Sequence, residues 1–167
     1  MLRILWQELT NGLRDSQQLA HVFIRLFAAT FCGALIGVQR ESTRKPAGLR
    51  THVLVSVATA AFIVACSASG MSSDGVSRVI QGIVTGIGFL GAGTILKLSH
   101  EHEIKGLTTA ASVWMTAAIG VVIGLGNLGI GLIVTVLALI ILSLARFEHS
   151  LEHRAHHHDD PNHDQKP

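Results

Sequence analysis

Apolar positions fall into five runs separated by short polar stretches. They cover about residues 19–38, 51–69, 79–96, 107–125 and 128–145. A helix needs roughly 20 mostly apolar residues to cross a bilayer, and each run has about that length. Arg25 is the only charge in the first run. Between Thr51 and Val76 only Asp74 is charged, and from Gly106 to Ala145 there is no charge at all. Helices without a polar face have nothing to offer water, so a soluble bundle is excluded. The pattern predicts an all-α membrane protein with about five transmembrane helices in residues 19–146. The last two are joined by the Gly/Asn turn "GLGNLG".

The flanks read differently. Residues 1–18 place Leu2, Leu5, Trp6, Leu9 and Leu13 at helical spacing among charges, which predicts an amphipathic segment on the membrane surface. Residues 147–167 are rich in His and Asp and cannot bury an apolar core, which predicts a disordered tail.

The composition agrees with a lipid solvent. Of 167 residues, 49% are hydrophobic and 14% charged, where soluble chains carry about 25% charge; mean hydropathy is +0.46. A net charge of +2 with no basic stripe gives no case for nucleic acid. Cys32 and Cys66 lie in apolar runs without metal or redox spacing. The basic residues are uneven. Arg40, Arg44, Lys45, Arg50, Lys97, Lys105, Arg146, Arg154 and Lys166 fall on one side of a five-span chain, and Arg3, Arg14 and Arg78 on the other. The basic side is cytoplasmic by the positive-inside rule, so the N-terminus is expected outside and the C-terminus in the cytoplasm.

A shift of 58 residues aligns the chain with itself. Nine identities fall between 31 and 64, among them Phe31/Phe89, Gly33/Gly91, Gly48/Gly106, Leu49/Leu107 and Thr51/Thr109. The shift carries span one onto three and span two onto four, predicting a parallel internal repeat.

Several residues carry candidate chemistry. "GIGFLGAG" has the Gly86-x-Gly88-x-x-Gly91 spacing of a dinucleotide loop, but it sits inside a span and no acidic residue is suitably placed. Its glycines, with Gly82 and Gly93, read instead as a close-packing seam. Span three is then expected to be the central helix. Gly33, Gly37, Gly48, Gly106 and Trp114 are further packing candidates. The polar candidates are Arg25, Arg40, Glu41, Arg50, Thr51, His52, Gln81 and Thr109. An arginine inside a bilayer marks function or snorkels to the surface. A Glu41–Arg50 pair is expected to close the first hairpin. His149, His153, His156, His157 and His158 suit weak, poorly selective divalent metal binding; no other cofactor is expected. No Ser/His/Asp, HExxH or phosphate-loop arrangement appears, so an enzyme is not expected.

The blocks "RLFAATFCGALIGVQRE", "KPAGLRTHVLVSVATAAF", "GIVTGIGFLGAGTILK" and "IKGLTTAASVWMTAAIGVVIGLG" resemble, in order, those of the MgtC/SapB family of bacterial membrane proteins. The resemblance covers roughly residues 25–145. It implies a multi-pass protein of the bacterial cell inner membrane, linked to growth in low magnesium and to virulence. It also implies action on other inner-membrane proteins, including the ATP synthase; a homo-oligomer is a further expectation. Carried over by motif, its positions are Arg25, Gly37, Arg40, Glu41, Gly48, Arg50, Thr51, Gly86, Gly88, Gly91, Gly93, Gly106 and Trp114. Gln39 stands where the family commonly has Glu, and Thr108 where it often has Asn. Virulence members carry an ACT-like cytoplasmic domain after span five, and the expectation here is a short member lacking it. The first functional reading is therefore a regulator of magnesium or ion homeostasis. The alternative is a small ion or solute transporter or channel with a path at the repeat interface.

Overall fold

The computed structural model describes residues 1–4, 16–97 and 104–156. Residues 5–15 of the expected interfacial segment lie outside them. Five helices follow in order: α1 Ser16–Ser42, α2 Leu49–Ala68, α3 Ser73–Gly93, α4 Leu107–Gly124 and α5 Leu128–His156. A two-residue antiparallel ladder, β1 Leu96–Lys97 with β2 Ile104–Lys105, ties the ends of the α3–α4 connection. The first four helices are long and apolar enough to cross a membrane, and Leu128–Leu144 is a shorter apolar stretch of α5. The molecule is an all-helical membrane protein.

Two boundaries move. Span three was expected to reach residue 96, but α3 ends at Gly93, where Thr94 N–H and Oγ1 both bond to Gly91 O and turn the chain. The tail was expected to be disordered from 147, but α5 continues to His156. Leu, Glu, Arg and Ala in that stretch are good helix formers, so the backbone extends the helix beyond the apolar run. Residues 157–167 lie outside the described residues.

The repeat is visible in three dimensions. Shifted by 58, α2 covers residues 107–126, and α4 is Leu107–Gly124. A methyl added at Gly33 of α1 would lie 2.8 Å from His52 O of α2. At the equivalent Gly91 of α3 it would lie 3.6 Å from Ala110 of α4, the equivalent of His52. The same pairing thus occurs twice, tighter in the first unit.

The centre is α1, α2 and α4. Ala29, Cys32 and Ile36 of α1, Ala60 of α2 and Ile119 and Ile123 of α4 form one buried cluster, closed by Ala138 and Leu142 of α5. The helices approach tightly at glycines. A methyl at Gly37 would sit 2.6 Å from Leu49 Cα, and one at Gly124 2.8 Å from Ile63 Cβ. Gly120 faces Thr59 Oγ1 and Ser56 O of α2 even more closely. Without a hydrophobic drive between helices in lipid, such backbone approach is a main source of association.

The expectation that α3 is the central helix is corrected. Only Ile87 and Gly91 of α3 are buried. Among the described residues, a methyl at Gly82, Gly86, Gly88 or Gly93 would meet nothing within 4 Å. Glycine spacing marks where a backbone could be approached, and no described helix packs closely on that side. Trp114 is likewise 46% exposed rather than packed inside; its α4 position turns toward lipid while Val113 and Thr116 turn inward.

Candidate functional site

Apart from Thr135 of α5, the buried polar side chains lie on α1, α2 and α4, with Arg40, His52, Thr109 and Ser112 together at the end that carries the 43–48 connection. Arg40 closes α1 and is 3% exposed. Its Nη2 donates to Thr109 Oγ1 in the first turn of α4 at 2.8 Å, and its Nε has no partner. Among the described residues no carboxylate pairs with it. His52, in the first turn of α2, is fully buried. Its Nδ1 lies 2.8 Å from Gly48 O and its Nε2 3.2 Å from Ser112 Oγ of α4. A carbonyl only accepts, so Nδ1 carries the proton. The Ser112 hydroxyl is then contested: it bonds to Thr109 O at 2.8 Å as well as facing Nε2. Ser56 Oγ, one turn further along α2, is buried without a partner. Thr59 and Thr116 bond back to their own helices, at Val55 O and Ser112 O. Such back-bonding satisfies a hydroxyl without committing it to a neighbour.

Glu41 does not pair with Arg50, which is a correction. Its Oε2 accepts from Leu49 N at 2.9 Å. The first amides of a helix lack internal partners and carry partial positive charge, so a carboxylate placed there caps α2. A side chain at Gly48 would crowd that carboxylate, with a methyl 3.1 Å from Oε2. Arg50 and Thr51 are exposed.

Arg25 is also reassigned. Its Nη1 donates to Gly124 O at 2.9 Å, and Gly126 (φ 93°) lets the turn approach the guanidinium. The charge sits at the negative end of α4, where cations stabilise. Arg25 therefore joins α1 to the end of α4, and it also lines a cavity of about 250 Å³ with Gln18, His21 and Ser67. Gln81 is exposed on α3. Gly106 takes φ 101° at the start of α4, and a methyl there would run into Thr94 O, so glycine is required.

The structure thus unites Arg40, His52 and Thr109. It leaves Arg25, Glu41, Arg50, Thr51 and Gln81 apart from them. The side chains of His149, His153 and His156 and all of His157 and His158 lie outside the described residues. Among the residues searched, no group of three metal-ligating side chains occurs. Sequence reasoning did not single out Gly120 and Gly124, although their Gly-x-x-x-Gly spacing is a readable signal.

A second feature lies on the other side of α2. An apolar cavity of about 500 Å³ opens between α2 and α3, with Leu54, Ala58, Phe62, Gly82, Gly86 and Leu90 among its lining. Its position follows from the repeat. The helix α5 sits against α1 and α4, touching the region of Ala28, Ala29, Cys32 and Ser112. The 58-residue shift carries these four to Gly86, Ile87, Leu90 and Leu54, all of which line the cavity. The cavity between α3 and α2 is the repeat-related equivalent of the seat that α5 fills on α1 and α4.

These features define a class: a membrane protein of two helix hairpins related by an internal repeat, with a fifth helix seated on one side and a buried basic cluster at one end. The sequence model of the MgtC family matches residues 26–151. The chain is 45% identical over 130 residues to the protein SrpB of Synechococcus elongatus, covering 71% of each. It is 45% identical over 133 residues to YhiD of Escherichia coli, named a putative magnesium transporter, covering 75% of this chain and 60% of that one. To the protein MgtC of Salmonella typhimurium it is 43% identical over 116 residues, covering 70% of this chain and 48% of that one. No solved structure matches. The chain belongs to the MgtC family, whose magnesium-linked members are membrane proteins. It spans about half to three fifths of the lengths of MgtC and YhiD.

Proposed function

We propose that this chain is a multi-pass regulator in the bacterial inner membrane that supports magnesium homeostasis by binding a transmembrane helix of another membrane protein. The observation that carries this reading is the empty counterpart of the α5 seat. The α2–α3 cavity repeats an interface the chain already makes with one of its own helices. Gly82 and Gly86 are spaced i, i+4 along it with no neighbour, which suits a partner backbone approaching closely in lipid. The partner is an apolar helix running parallel to α3, as α5 runs parallel to α1. The ATP synthase is one source of such helices that the family resemblance suggests, and the stress and virulence roles of relatives fit a regulator acting this way. A basic side in the cytoplasm, with the N-terminus outside, remains the orientation that the Lys and Arg distribution supports. No catalytic role is assigned.

The test replaces Gly82 and Gly86 together by Ile and places a photo-crosslinking side chain at Leu54 of the cavity. The reading expects a discrete adduct from Leu54 in native membranes, lost in the double variant and not formed from Phe23 on α1. It also expects the double variant to fail to restore low-magnesium growth to a deletion strain. Equal restoration with an unchanged adduct contradicts it.

A transport reading has one observation in its favour, the polar cluster at the repeat interface. Against it stands the Arg40 guanidinium, a cation at that same place. A divalent cation about 5 Å from a guanidinium is repelled by roughly 7 kcal/mol at an effective dielectric of about 20. The α2–α4 contact is also closed at Gly120 and Gly124. Robust magnesium flux in proteoliposomes would favour transport over regulation.

A further inference from the structure

The two ends of α4 treat arginine in opposite ways. At its C-terminus Arg25 meets the negative end of the helix. At its N-terminus Arg40 meets the positive end, bonded to Thr109 in the first turn. A cation there is opposed by the helix dipole. Burial makes this worse, because a charge removed from water needs a counter-charge or a full set of hydrogen bonds. Arg40 is 3% exposed, and of its guanidinium donors one meets Thr109 while Nε meets nothing.

The equivalent end of α2 shows what is missing. There Glu41 brings a carboxylate to Leu49 N. The start of α4 receives no side-chain cap from Gly106, and the 58-residue shift carries Glu41 to Ser99, which brings no charge. Among the described residues, the first amides of this 18-residue helix receive no side-chain cap and the Arg40 fork beside them meets no carboxylate. Helix N-termini and arginine forks are both recurrent partners of phosphate oxygens. The first turn of α4 also begins at the polar end of the bundle, as Thr108 and Leu107 are exposed while Thr109 is buried.

We propose that the first turn of α4 and the Arg40 guanidinium form an oxyanion site for a phosphate group, carried either by a phospholipid headgroup or by free phosphate. The phosphate oxygens accept from Arg40 and from the amides at Leu107 and Thr108, supplying for α4 the negative charge that Glu41 supplies for α2. The site does not depend on the regulatory reading. It is tested on purified protein, and its failure would leave the growth and crosslinking results untouched.

The experiment uses the full chain in uncharged detergent, stripped of lipid. Thermal unfolding is followed with inorganic phosphate and with chloride at equal ionic strength, and native mass spectrometry follows retention of phosphatidylglycerol. Phosphate at tenfold its Kd is expected to raise the Tm by roughly 3–6 °C, or phosphatidylglycerol to stay bound as one molecule per chain. The first result assigns the site to free phosphate and the second to a headgroup. Arg40→Met removes the unpaired charge and is expected to fold and lose both responses. Arg40→Lys keeps charge without the fork and is expected to weaken either by about tenfold, which retains a readout if the Met variant fails to fold. Exchanging the exposed Arg44 and Lys45 for Gln is expected to change neither. The proposal is overturned if the wild-type chain responds to neither probe, or if the Arg40 variants respond as it does. It is overturned as well if loss follows Arg44 and Lys45 instead. A response that appears only after Glu101 and Glu103 are both changed to Gln also overturns it, since one of those carboxylates would then be the counter-charge.

Discussion

Gly120 and Gly86 both sit in helix interiors, and the structure assigns alanine opposite consequences at the two. A glycine-to-alanine change inside a helix gains about 1 kcal/mol from backbone propensity. At Gly86 no described residue opposes that gain, because a methyl there meets none of their atoms across the helix surface within 4 Å. At Gly120 the methyl runs into Thr59 Oγ1 and Ser56 O. Neither can yield easily. Ser56 O is backbone, and the Thr59 hydroxyl is held by Val55 O at 2.9 Å and Ser56 O at 3.1 Å. The α2 and α4 helices must therefore move apart, by about 1 Å if ordinary contact is to be restored. A gap of that size forfeits about a quarter to a half of the dispersion attraction across the seam, and overpacking changes of this kind cost about 1–3 kcal/mol. Gly86→Ala is expected to be neutral or stabilising by up to about 1 kcal/mol. Gly120→Ala is expected to be destabilising by a net of roughly 1–2 kcal/mol after the propensity gain. Reversible unfolding in mixed micelles, with denaturing detergent as titrant, reads the difference. Equal stability for the two variants would refute the claim that α2–α4 is the packed seam and α3 the free helix.

Other substitutions test the remaining contacts in the same assay. Arg25→Ala removes the bond to Gly124 O and a cation at the end of α4, and a loss of about 1–2 kcal/mol is expected; Arg25→Lys should recover part of it. Glu41→Ala strips the cap from Leu49 N and is expected to cost about 1 kcal/mol, with faster amide hydrogen exchange confined to the first turn of α2. Thr109→Val leaves the Arg40 guanidinium without its one acceptor, so a loss of about 1–3 kcal/mol is expected. An unchanged stability there would mean that the Arg40–Thr109 bond is not formed in the membrane.

The run lengths made the helices legible because the bilayer imposes both length and polarity on a spanning segment. The start of α4 was legible for another reason: the Gly-Leu-x-Thr element repeats at Gly48 and Gly106, and both copies begin a helix. The seam was misread. Gly82-x-x-x-Gly86 and Gly120-x-x-x-Gly124 have the same spacing, and spacing reports which surface is smooth without reporting which helix faces it. The charged groups were harder still. Arg25 and its carbonyl partner are 99 residues apart, and Arg40 and Thr109 are 69 apart, so no local pattern links them. Glu41 chose a backbone amide over Arg50 because the tight connection brings the start of α2 to it, a choice set by backbone geometry. His52 and Thr109 could be marked as polar residues at span ends, but their meeting through Ser112 depends on the α2–α4 crossing.

The central claim is that the chain supports growth in low magnesium through the α2–α3 seat. Growth of a deletion strain at limiting magnesium, complemented with the wild-type chain or with the Gly82→Ile/Gly86→Ile variant at matched membrane levels, tests it most directly. The variant is expected to insert and unfold like the wild type yet fail to restore growth. Full restoration by the variant would contradict it.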